Sequence, residues 1–151
     1  MPVQSLKQYL NQHEIKYLII QHSPAYTAQE IAESVHVPGR FFAKTVVVRI
    51  DGRLAVTAIP ATRRVPLERL RRELGAESVE IASEAELRDR FPDCELGAMP
   101  PFGNLFEMDT YASRELSREE EIAFNAGSQT EVMLLAWRDY QRLAQPRVID
   151  L

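Results

Sequence analysis

The stretch RFFAKTVVVRIDGRLAV, residues 40–56, carries period-two apolar patterning on both sides of an Asp51-Gly52 pair. An Asp-Gly pair so flanked is a strong short-range signal for a two-residue β-hairpin, because the favoured turn needs positive φ at both central residues. The stretch therefore predicts two adjacent antiparallel strands, 42–50 and 53–59. Counting in twos puts Lys44 on the side of Val46, Val48 and Ile50, where a purely surface lysine would be better served by the other register.

Further elements follow on either side of the hairpin. Leu6, Tyr9 and Leu10 recur at helical spacing behind Ser5, which predicts a first helix over 5–12. YLIIQH, 17–22, reads as a strand, and Thr27 with Glu30 forms a T-x-x-E capping box for a second helix. VPLERLRRELG, 65–75, is a third helix with Pro66 in its first turn, Leu67, Leu70 and Leu74 facing inward, and Gly75 as its stop. SVEIA predicts a short strand, and Ser83 with Glu86 caps a fourth helix. NLFEMDT, 104–110, is expected to be a strand. EEIAFNAGSQTEVMLLAW, 120–137, reads as two strands joined at residues 125–128, and WRDYQRLAQP supplies a last helix before a short tail. About seven strands and five short helices, in an order neither regularly βαβ nor all-β, imply an α+β fold. The expected architecture is one domain over 1–151, a mixed, mainly antiparallel sheet flanked by short helices.

Composition bounds the function. The chain of 151 residues has a formal net charge of −4, which argues against gripping nucleic acid through overall positive charge but permits a local basic patch. Arg63, Arg64, Arg69, Arg71 and Arg72 form such a cluster, interspersed with Glu68 and Glu73, so it reads either as a phosphate contact or as a solvated, ion-paired helix face. No apolar run approaches the roughly 20 residues that span a bilayer, and the N-terminus is polar and amphipathic. Cys94 is alone, which excludes an internal disulfide and is compatible with a reducing cytoplasm, the expected location.

His13, His22 and His36 lack the paired spacing of a zinc site, so no metal or other cofactor is expected. Of the three, His22, ending a strand before a proline turn, is the candidate to line a site. No G-x-S-x-G elbow occurs, and PGRFFAKT leads into a strand where a phosphate-binding P-loop would lead into a helix. Lys44 remains, with two readings. It snorkels past apolar neighbours at a sheet edge, or it meets an anion in a cleft. Gly97, Gly103 and Gly127 favour a cleft, since bare backbone can approach a ligand there, and Pro100-Pro101 would stiffen the loop over 91–103. NAGS also reads as a plain hairpin turn, and Phe102 and Phe106 as core.

AKTVVV, 43–48, GAMPPFG, 97–103, and FNAGSQTEVMLLAWRDYQRL, 124–143, together resemble the YbaK/prolyl-tRNA synthetase-associated domain family of aminoacyl-tRNA editing enzymes. HSPAYTAQEIA, 22–32, is similar to the segment that precedes the lysine strand in that family. The resemblance implies a free-standing deacylase that hydrolyses the ester joining a wrong amino acid to the 3′ end of a tRNA, commonly alanine or cysteine on tRNA for proline. It also implies transient association with a synthetase, and no cofactor. Under it, Lys44 contacts the terminal adenosine phosphate, and the backbone of Gly97 and Gly127 orients or stabilises the reacting ester. His22, Thr45, Met99, Pro101, Phe102, Gly103, Asn125, Ala126 and Ser128 bind substrate, and Arg40, Arg63 and Arg64 are candidate tRNA contacts. Relatives often carry histidine where this chain has Gln129, and several have arginine near Met133. These departures motivate an alternative, a module that binds tRNA or an aminoacyl nucleotide without hydrolysing it. An interaction protein with no RNA role is a third reading, with the negative net charge as its support.

Overall fold

Asp51 and Gly52 both adopt left-handed backbone, with φ of 48° and 86°, and close the turn that the Asp-Gly pair predicts. The computed structural model describes residues 4–21 and 39–151. Strand β1 spans Tyr17–Gln21, and the turn joins β2, Ala43–Ile50, to β3, Arg53–Pro60, in register from Ala43 opposite Pro60 to Ile50 opposite Arg53. The Asp51 carboxylate accepts from the backbone N–H groups of Glu77 and Ser78, both at 2.9 Å, which guides the chain into β4, Val79–Ile81, alongside β2.

The strands form two sheets. The larger has the order β4-β2-β3-β5-β8, where β5 is Asp109–Ser113 and β8 is Arg147–Ile149, and its β3–β5 and β5–β8 pairs are parallel. The smaller, β1-β7-β6, is wholly antiparallel, with β6 at Glu121–Asn125 and β7 at Glu131–Ala136. Among the described residues, one parallel bridge, Phe42 to Ala123, joins them, with the Ala123 N–H donating to the Phe41 carbonyl at 3.0 Å. The expected mixed, mainly antiparallel α+β architecture is therefore present, with eight strands among the described residues.

Four helices flank the sheets among the described residues: α1, Gln4–Gln12; α2, Leu67–Leu74; α3, Glu84–Arg90; and α4, Trp137–Ala144. The Ser83–Glu86 capping box forms with both reciprocal bonds, and Gly75 ends α2 in the left-handed region. Pro66 sits at the N-cap of α2, one residue before the expected first turn. The main core joins Leu6 and Leu10 of α1 to Phe102, Phe124, Trp137, Tyr140 and Leu143. Tyr140 is wholly buried and donates its hydroxyl to the Pro101 carbonyl at 2.8 Å.

Two elements differ from expectation. The strand expected over 104–110 begins only at Asp109, because Gly103–Phe106 winds into a 3-10 turn. Glu107 ends that turn at φ 59°, and Met108 N–H closes it on the Gly103 carbonyl at 2.9 Å. The expected C-terminal tail contains β8, which pairs with β5, a partner too distant in sequence for any local pattern to reveal. The helix expected behind Thr27 lies outside the described residues.

Candidate functional site

The site is built where the two sheets part. Lys44 on β2 and Asn125 on β6 each lie two residues beyond the Phe42–Ala123 parallel bridge. Alternation puts both on one face. Phe42 and Ala123 pack there with Ala61 and Val132, and Val132 lies directly opposite Asn125 across β6 and β7. The other face of β6, with Ile122, Phe124 and Ala126, belongs to the main core.

Lys44 is half-buried, opposite Ile59 on β3. Its ammonium titrates below the usual lysine value, first because burial disfavours the charge and second because Arg64 lies close by. Two neighbouring cations, one of them partly desolvated, form a local field suited to an anion. Of the expected tRNA contacts, Arg64 is the one left open: it is exposed, and among the described residues it pairs with no carboxylate. Arg40 pairs with Glu119 at 3.6 Å and lies over the Phe41 ring, and Arg63 pairs with Glu115. Arg71 is held by Glu68, the ion-paired reading of the α2 cluster.

The two glycine segments are stitched into one wall. Gly127 donates its N–H to the Ala98 carbonyl at 2.8 Å, and Glu95 donates to the Gly127 carbonyl at 2.9 Å. Gly97 and Gly127 hold φ of 81° and 100°, a region side-chain-bearing residues rarely adopt. Gln129 completes the wall: its backbone N–H reaches a Glu95 carboxylate oxygen at 3.2 Å and its side-chain amide the Leu96 carbonyl at 2.6 Å. Because the Gly127 N–H is spent on Ala98, it holds the loops together instead of facing a ligand. Among the described residues, the N–H groups of Gly97 and Ser128 donate to no backbone carbonyl.

The remaining candidates divide between this wall and the core. Asn125 and Ser128 are buried at its edge, with the Ser128 hydroxyl bonded to Thr130 Oγ1 at 2.9 Å. Thr45 does not share the Lys44 face, since it lies between Ala43 and Val47, which pack into interior clusters on the opposite side of β2. Met99, Phe102 and Ala126 are buried in those clusters, Phe102 edge-on to Phe124 and Tyr140. Pro101 spends its carbonyl on Tyr140, and Gly103 is packed so closely that an added Cβ would lie 2.5 Å from Thr110 Oγ1. These residues shape the loop from behind. His22 lies outside the described residues. Gln129 is the participant that motif reading leaves unassigned, although its place directly after NAGS marks it.

Among the described residues, two buried side-chain oxygens have no hydrogen-bond partner, Thr45 Oγ1 and Asn125 Oδ1. No group of three or more metal-capable side chains occurs among the described residues, and none of their helices is long and apolar enough to cross a membrane.

A family model described as the aminoacyl-tRNA editing domain matches residues 22–143. The chain is 29% identical over 148 residues to the multifunctional Ser/Thr-tRNA deacylase ProXp-y of Escherichia coli strain K12, covering 93% of this chain and 87% of that protein. Its fold is similar to a crystal structure described as a candidate trans-editing enzyme for prolyl tRNA synthetase, with a TM-score of 0.83, 19% identity, and coverage of 98% and 94% of the two chains. A hypothetical protein superposes with a TM-score of 0.86 at 16% identity, over 97% of this chain and 98% of the other.

Proposed function

The chain belongs to the aminoacyl-tRNA editing domain family, and we propose that it hydrolyses the ester between a small amino acid and the 3′-terminal ribose of a tRNA. Two observations support this reading: a partly desolvated Lys44 beside Arg64, and the Gly97 and Gly127 segments tied to each other by backbone hydrogen bonds. Lys44 and Arg64 hold the phosphate of the terminal adenosine and thereby fix the ester. A water attacks the ester carbonyl, the bond to the ribose oxygen breaks, and the proton given up by the water ends on that oxygen. Free amino acid and tRNA leave.

An ester is reactive enough that position and electrostatics can supply the rate. The negative charge that develops on the carbonyl oxygen needs preorganised donors, and the Gly97 and Ser128 N–H groups fill that role on a wall that Gln129 and Gly127 keep from shifting. The ribose hydroxyl next to the ester assists the water. Lys44 stays an anchor, since even a lowered amine in this setting is most useful as a cation.

Alanine on tRNA for proline is the first substrate to test, with serine and threonine, named in the Escherichia coli relative, beside it. Purified protein incubated with a panel of aminoacylated tRNAs should release amino acid from the small-residue members. Lys44→Ala, checked for folding by circular dichroism, should lower kcat/KM by about a hundredfold or more, the scale of losing a charge contact to the reacting group. Saturable binding of tRNA with no release across the whole panel would replace this reading with the non-catalytic module.

A further inference from the structure

Resting on the deacylase reading, we infer that Asn125 selects among small amino acids, its side-chain oxygen accepting a hydrogen bond from a hydroxyl on the aminoacyl group. Asn125 ends β6 with 7% of its surface exposed, and its Oδ1 is buried without a partner among the described residues. A buried oxygen without a donor is unfavourable relative to a satisfied one, so its own packing does not account for its place there. Like Lys44, it lies two residues beyond the Phe42–Ala123 bridge, on the face where Phe42 and Ala123 pack, and it is directly across from Val132. A donor brought by the ligand would satisfy it.

Three donors on an aminoacylated terminus could be considered. The α-ammonium is present in every aminoacyl ester, and placing it here would set a third cation beside Lys44 and Arg64 against the apolar surface of Ala123 and Val132. The ribose hydroxyl is tied to the nucleotide end that Lys44 anchors. A side-chain hydroxyl is neutral, short and carried only by the acyl group. It therefore meets the oxygen without electrostatic cost and discriminates. A pocket that offers a buried acceptor penalises the substrate that leaves it empty, so seryl and threonyl esters are favoured over an alanyl ester.

The test compares seryl-tRNA and alanyl-tRNA with the tRNA body held constant. The wild type should show a seryl to alanyl kcat/KM ratio of roughly ten to a hundred, the fold-change that corresponds to one unsatisfied buried group. Asn125→Ala should collapse that ratio towards one, and Asn125→Ser, which restores an acceptor, should recover part of it. As a measurement independent of variant folding, a non-hydrolysable seryl amide of adenosine should bind the wild-type protein about tenfold tighter than the alanyl amide by calorimetry. Equal wild-type ratios, or a ratio that Asn125→Ala leaves unchanged, overturn the assignment of Asn125 while the deacylase reading stands. Hydrolysis of neither ester defeats both.

Discussion

The side-chain amide of Gln129 donates to the carbonyl oxygen of Leu96 at 2.6 Å, across the gap between the NAGS turn and the loop that carries Gly97. Together with the bond from its own N–H to Glu95, this makes Gln129 a two-point latch on the loop. Gln129→Ala removes one point, and Gln129→Glu removes the donor while adding a carboxylate beside Glu95 and a carbonyl. Kinetics on a responsive aminoacyl-tRNA should rank wild type above Gln129→Ala above Gln129→Glu. The alanine variant should lose about tenfold in kcat/KM, equivalent to one modest hydrogen bond. Equal activity of all three would show that the latch plays no part in positioning.

The glycines separate packing from site geometry. A Cβ at Gly103 would meet the Met108 carbonyl at 2.6 Å and the Asp109 carbonyl at 2.9 Å, backbone atoms that cannot swing away. At Gly52 it would meet nothing within 4 Å, leaving only the strain of a positive φ. Gly103→Ala should therefore lie at the upper end of about 1–3 kcal/mol of destabilisation. Gly52→Ala should cost about 1 kcal/mol, with activity preserved. Urea denaturation gives both values, and a Gly52→Ala variant less stable than Gly103→Ala would contradict the packing described for the 3-10 turn.

These contrasts also show where sequence reading reaches its limit. The Asp51-Gly52 turn, the Ser83–Glu86 box and the Gly75 stop are legible because each is decided within a few residues. The two sheets meet at the Phe42–Ala123 bridge, and β8 pairs along the edge that β5 offers it, so neither leaves a local mark. Within the site, Lys44 and the glycine segments carry their own signals. Thr45 illustrates the opposite case: the alternation that turns Lys44 to one face turns its neighbour to the other, so adjacency in a motif did not mean adjacency in space. Gly127 was recognisable as a key position, but the engagement of its N–H with Ala98 depends on a loop almost thirty residues earlier in the chain, which only the fold brings near.

Cys94 provides a probe of the loop that needs no substrate. Burial, with Asp93 adding to it, pushes its thiol up from 9.0 to about 12. The group is thus a thiol throughout the neutral range, and native protein at pH 8 should react with a disulfide reagent far more slowly than urea-unfolded protein. The folded value lies above the unfolded one, so the unfolded chain loses its proton first as pH rises. Stability contributed by the neutral thiol is complete below pH 9 and is lost progressively above it. Rapid native labelling at pH 8 would mean that the 91–103 loop opens readily.

Lys44 shifts the opposite way, and the sign has a consequence for both stability and binding. Its folded value is lowered from 10.5 by burial and by Arg64, so between the folded value and 10.5 the unfolded chain holds more protons than the folded one. Stability must then rise with pH across that window, and at neutral pH the buried charge is a net cost to folding. Lys44→Met should consequently melt no lower than wild type while losing activity, the pattern of a residue kept for a ligand and not for the fold. Arg64→Ala removes the second cause, so the Lys44 amine should titrate higher in that variant. Adenosine monophosphate should raise it as well, by setting a phosphate beside the ammonium. Nitrogen-detected NMR titration of the amine, free and with the nucleotide, measures each shift. A value unmoved by both the variant and the nucleotide would remove the anion site on which the catalytic proposal depends.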